Sequence, residues 1–152
     1  MAMNKLTYSE SKCNSYIYFS LYADNFDIED VTQQLNLKPT SVRQKGEPVP
    51  KLTSWKFQID VGNDIDLKAP LSKLIDTFEA KTTVINSLKQ IYGLETRLQF
   101  VIHIDVDPEA STPFFPLDKR AISFLSITET IVDFDIYKSD PKEIALRKTK
   151  DT

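Results

Sequence analysis

Residues 55–61, Trp55-Lys56-Phe57-Gln58-Ile59-Asp60-Val61, alternate apolar and polar side chains without a break. Side chains of a strand point to opposite faces in turn, so Trp55, Phe57, Ile59 and Val61 share a dry face and Lys56, Gln58 and Asp60 a wet one. A strand with one wet face suits an antiparallel sheet covered on one side, because parallel sheets bury both faces. Two more segments repeat the pattern. Residues 95–106 line up Leu98, Phe100, Ile102, Ile104 and Val106, and residues 130–137 set Val132, Phe134 and Ile136 inward with Asp133, Asp135 and Tyr137 outward. Residues 13–23 differ: Ile17, Phe19 and Leu21 alternate with Tyr16, Tyr18, Ser20 and Tyr22, which loads both faces and predicts a central strand.

Helices fall between these strands. Asp27 is placed to cap a short helix carrying Ile28, Val31 and Leu35, with Pro39 ending it. Residues 38–52, with the turn residues Pro39, Gly46, Pro48 and Pro50, read as a loop. Pro70 suits a first helical turn, and Leu71, Leu74, Ile75, Phe78, Ile85, Leu88 and Ile91 form one apolar stripe that ends at Gly93. Residues 117–125 predict a third helix with Ala121, Phe124 and Leu125 as its apolar face. The order is β-α-β-α-β-α-β. Such alternation would suit a parallel sheet, but three strands have a wet face and no glycine-rich turn follows the first. The expectation is therefore α+β: a four-stranded, mostly antiparallel sheet with helices packed on one face, ferredoxin-like in style. Residues 1–138 form the domain, and 139–152 a charged tail with at most one helical turn.

The chain has 152 residues, one domain's worth, and its 41% apolar share can fill a core without disulfides. No apolar run approaches the roughly 18–20 residues that span a bilayer. The first ten residues lack the apolar stretch of a signal peptide, and Cys13 is the only cysteine; both predict a cytoplasmic protein. Cys13 reads as a small filler rather than a nucleophile, since nothing places the lone histidine, His103, beside it.

Leu35, Asn36, Leu37, Lys38, Pro39 and Thr40, then Lys45, Gly46 and Glu47, then Ser54 and Trp55, resemble the central motif of a bacterial family known as domain of unknown function 4279. The Tyr16–Ala23 strand fits the start of that family, and Phe134-Asp135-Ile136-Tyr137 fits its close. The resemblance implies a small bacterial cytosolic domain, and it brings no catalytic residue or cofactor. The motif also has a plain physical reading: Pro39 and Gly46 shape a turn, Thr40 bonds local backbone, and Trp55 anchors a core. Its functional reading is a loop that forms a binding lip on a rigid sheet.

The net charge of −3, from 19 basic and 22 acidic residues, hides a polarity. From Asn36 to Lys56 there are five basic residues (Lys38, Arg43, Lys45, Lys51, Lys56) and one acid, giving +4. From Gly93 to Tyr137 there are three basic and eight acidic residues, giving −5, and the tail from Lys138 has five and three, giving +2. The acidic half and the low net charge disfavour nucleic acid. His103 and Asp105 share one face of their strand, as do Asp133 and Asp135. If these two strands paired antiparallel, the four side chains would meet, a workable set for Mn²⁺, Zn²⁺ or Fe²⁺ in a metal-dependent enzyme. The commoner use of such a face is protein recognition. Asp105, Asp133, Asp135 and Tyr137, with Tyr16, Tyr18 and Tyr22, would offer a basic partner complementary charge and rigid contact area, and Arg43 and Lys45 would mark the opposed basic loop. The predicted function is thus a non-enzymatic, cofactor-free protein-binding module, with an immunity-type role as one form and self-association through a strand edge as another outcome.

Overall fold

The computed structural model describes residues 14–62, 66–106, 109 and 111–139, with the backbone alone for Asp105 and Ser139. Cys13 and the tail beyond Ser139 lie outside the described residues. Nine residues, Ser15–Ala23, form β1. Helix α1 (Ile28–Leu35) follows, its first turn held by Asp27, whose carboxylate accepts from the Glu29 and Asp30 amides at 3.0 Å each. Asn36, left-handed at φ 47°, ends α1 three residues before Pro39 is reached. Its amide bonds the Gln33 carbonyl, so the stop is a cap rather than the proline expected to impose it.

Next come β2 (Ser41–Arg43) and β3 (Thr53–Gly62). Helix α2 (Lys68–Phe78) runs through a tight turn, Glu79–Lys81, into α3 (Thr82–Tyr92), so the long apolar stripe belongs to one kinked helical segment. Leu71 through Leu88 are buried as the stripe predicts, but Ile91 is 60% exposed, because the stripe has left the core before the helix ends at left-handed Gly93 (φ 64°). Strand β4 (Glu95–Asp105), helix α4 (Lys119–Ile127, capped by Asp118) and strand β5 (Ile131–Ser139) complete the order.

The sheet has five strands in the order β2-β3-β1-β4-β5. Strand β1 is central and pairs antiparallel with both β3 and β4, while β4 and β5 run parallel, with Val101 opposite Asp135 and His103 opposite Tyr137. This overturns the four-stranded, mostly antiparallel, ferredoxin-like expectation in two respects. Residues 41–43, inside a segment read as loop, add a strand: Val42 pairs Trp55, and the Thr40 amide donates to the Lys56 carbonyl at 2.8 Å. The last pair is parallel because residues 106–130 carry the chain back across the sheet through α4, the crossover a parallel neighbour requires. A wet face proved compatible with a parallel pair, because the described helices all pack on one side of this mixed sheet.

One core unites β1 (Ile17, Phe19, Leu21), Trp55, β4 (Leu98, Phe100, Ile102) and the buried residues of all four helices. Phe78 of α2 is its hub, with ring centroids 4.5 Å from Phe19 and 5.5 Å from Phe57. Its full burial contributes about 2–3 kcal/mol. The buried Trp55 satisfies its indole N–H by donating to Thr32 Oγ1 at 3.0 Å, which fastens α1 to the sheet. At the far edge Phe134 stacks on Phe100 at 4.9 Å and packs against Phe115. Because every helix buries its residues in this one core, the opposite sheet face carries no helix among the described residues.

Candidate binding face

Register fixes which side chains meet on the open face. Lys56, Ser20 and Arg97 lie side by side across β3, β1 and β4. One step along, Gln58, Tyr18, Gln99 and Asp133 form the next row, and beyond it Asp60, Tyr16, Val101 and Asp135. In the other direction Arg43, Ser54, Tyr22 and Glu95 align. The face is therefore graded along the strand direction: Arg43, Lys56 and Arg97 gather at one end, with Glu95 at its margin, and Asp60, Asp133 and Asp135 lie toward the other, while tyrosines run along β1 between them.

At the basic end the sheet and the loop before β3 enclose a hollow of about 350 Å³. Ser20 and Ser54 lie on the sheet beneath it, Arg43, Lys51, Lys56 and Arg97 surround it, and Pro50 and Leu52 contribute an apolar lip. No acidic side chain lines it. The Lys56 ammonium sits 4.0 Å from the centre of the Tyr18 ring, and Arg97 lies over Tyr22 at 5.2 Å. Arg97 Nη2 donates to the Tyr22 hydroxyl (3.3 Å), which in turn donates to Glu95 (2.8 Å), while Arg97 Nη1 stands 3.9 Å from Asp133. Arg43, Lys51 and Lys56 enter no ion pair among the described residues. Burial, and then the neighbouring Arg43 charge, push the Lys56 ammonium below its ordinary pKa.

The loop forming that lip is pinned from beneath. Buried Thr53 Oγ1 accepts from the Lys45 amide (3.1 Å) and from Gln44 Nε2 (3.2 Å), and donates to Asn25 (3.0 Å). The Lys45 ammonium pairs with Asp24. The Gly46 amide donates to the Pro50 carbonyl at 3.0 Å, and a Cβ on Gly46 would stand 3.0 Å from the Val49 carbonyl oxygen, so a side chain there would require the loop backbone to shift by a few tenths of an ångström.

At the acidic end Tyr16 lies between Asp60 and Val101, with Asp135 beyond, and the Tyr16 and Tyr18 rings stack at 6.3 Å. Burial raises the Tyr18 pKa; the Tyr16 charge, and less strongly Asp135 and Asp133, add to the rise against the lowering pull of Arg97. The carboxylates thus face the tyrosine surface. His103 stacks on half-exposed Tyr137 at 5.3 Å, and burial lowers its pKa below 6.5.

Of the residues singled out in the sequence, Asp133, Asp135 and Tyr137 share the open face, and Arg43 stands at the hollow across the sheet from them. Lys45 is turned to Asp24 and holds the loop rather than the hollow. The antiparallel meeting of His103 and Asp105 with Asp133 and Asp135 does not occur. In parallel register Asp133 sits opposite Gln99, six residues or about 20 Å along β4 from Asp105. Among the described residues no three His, Cys, Asp or Glu side chains could hold a metal ion, and the Asp105 side chain lies outside them. Sequence reading missed Arg97, Ser20 and Ser54 as partners of Lys56 and Lys51. The alternation of β3 and β4 already set Ser54, Lys56 and Arg97 on wet faces; the absent signal was the register that aligns them.

A family model described as Domain of unknown function (DUF4279) matches residues 11–139. Comparison with curated proteins gives no match, and comparison with solved structures gives none either. No helix among the described residues is long and apolar enough to cross a membrane.

Proposed function

The chain belongs to the domain of unknown function 4279 family, and on that footing we propose that it is a non-enzymatic binding module that docks a basic protein through the tyrosine and carboxylate end of its open sheet face. The carrying observation is that one face of a five-stranded sheet carries no helix among the described residues while Tyr16, Asp60, Asp133, Asp135 and Tyr137 are set across it by strand register. Tyrosines supply contact area at low entropic cost, and spaced carboxylates supply charge that steers and orients a basic partner. An immunity-type domain that neutralises a basic toxin module is one form this function takes.

The test is capture from lysate of the source cells by tagged protein, beside an Asp133→Lys, Asp135→Lys variant. Both positions are on a solvent-facing strand, so the variant should keep its circular dichroism spectrum. The expected result is a basic protein held by the wild type and weakened by about 100-fold or more in the folded variant. Equal capture by both would remove the acidic end from the function.

A further inference from the structure

The cations at the other end of the face have no role in docking a basic partner, and their arrangement calls for its own account. Lys56 and Arg97 flank Ser20 at one strand spacing on each side, so two long cationic side chains rise about 10 Å apart over a small hydroxyl residue. Arg43 stands beside Ser54 in the adjoining row, and Lys51 approaches from the loop. Four positive groups therefore surround one hollow that no acid lines, and three of the four have no ion-pair partner among the described residues. Like charges gathered on a partly desolvated surface repel one another unless an anion sits among them. The recess is concave and of the size of small-ligand sites, at the lower end of their roughly 300–1,000 Å³ range.

From this geometry we infer that the hollow over Ser20 and Ser54 binds a phosphoryl group, held by Arg43, Lys51, Lys56 and Arg97. A compact dianion matches several converging cations better than a single carboxylate does. The guanidinium fork of Arg43 and the hydroxyls of Ser20 and Ser54 suit its tetrahedral oxygens. The apolar lip of Pro50 and Leu52 leaves room for an uncharged body beyond the phosphoryl group, so the source is either inorganic phosphate or a small phosphomonoester. None of its four cations belongs to the carboxylate end, although Arg97 stands 3.9 Å from Asp133, and the Lys51 and Lys56 variants test it apart from that end.

The test is titration of ¹⁵N-labelled full-length protein, at constant ionic strength set with sodium chloride, with inorganic phosphate, adenosine monophosphate and adenosine. Saturable shifts of the Ser20, Ser54 and Lys56 amides with both phosphate-bearing probes, and none with adenosine, are expected. A tighter response to the nucleotide would assign the lip to the ligand's body; equal responses would assign the site to the phosphoryl group alone. Lys56→Gln should weaken binding roughly tenfold, and Lys51→Gln, on the exposed lip and harmless to the fold, should weaken it severalfold. Shifts that do not saturate, that scatter over other lysines, or that survive unchanged in both variants would overturn the inference.

Discussion

His103 is the residue whose environment is most directly readable in solution. It stacks on Tyr137, and burial depresses its pKa below the ordinary 6.5. The folded chain therefore binds this proton less readily than the unfolded chain does. Its contribution to stability is fully present above the unfolded value and is lost as pH falls from about 6.5 toward the folded pKa. Urea midpoints from about pH 7 to about pH 5 should fall for the wild type more steeply than for His103→Phe, which keeps a ring against Tyr137. Equal slopes would show that the imidazole ionises as freely folded as unfolded. The stacking was not legible in the sequence, since His103 and Tyr137 are neighbours only in parallel register. Trp55 and Asp27 were legible, one as the anchor of an alternating strand and the other as a cap, because each is decided within a few residues of chain. Thr53 was not, because the atoms it ties together lie 8 to 28 residues away.

At the scale of elements, every long segment of regular structure follows from its hydrophobic period; the errors were the short edge strand β2, too brief to show a period, and the direction of β5. The dry face of β3 and the stripe of α2 predict strand and helix whatever the topology. Direction is set by the crossover through α4, and the wet face of residues 130–137 was misread as evidence for antiparallel pairing. The same topology leaves β5 with β4 as its sole neighbour among the described strands, and with Ile136 and Tyr137 each more than half exposed. Asp133, Asp135 and Lys138 set charges along this strand, a usual protection of an edge against further pairing. With a single ladder and a half-covered dry face, β5 opens at lower cost than central β1. Its amides bonded to β4 should exchange at least about tenfold faster with deuterium than the β1 amides bonded to β3 and β4. Equal protection in the two strands would mean that another part of the chain covers the β5 edge.

For the molecule as a whole, the charge division seen along the sequence became a gradient across one surface, because β1 and β4 bring Arg97 into the same row as Lys56 of β3. The sequence reading had assigned Arg97 to the acidic half by position in the chain, which is where its reach ended. The consequence is that the two ends of the face meet at Arg97 and Asp133 and are coupled in potential. Asp133 stands 3.9 Å from Arg97, and Asp135 lies one row further along β5. Reversing these two charges should therefore strengthen phosphoryl binding in the hollow, even as it weakens docking of a basic protein. Charges about 10 Å apart across a wet surface interact by roughly 0.5 kcal/mol or less, so the gain for Asp133→Lys, Asp135→Lys is about two- to fivefold at low salt. With a Debye length near 10 Å at 0.1 M and about 3 Å at 1 M, the gain should shrink steadily as sodium chloride is raised and vanish near 1 M. Phosphate affinity measured for both proteins across that series checks this. A gain that persisted at high salt would point to a direct contact made by the new lysines, and a loss at any salt would show that Asp133 is needed to hold Arg97 in place over the hollow.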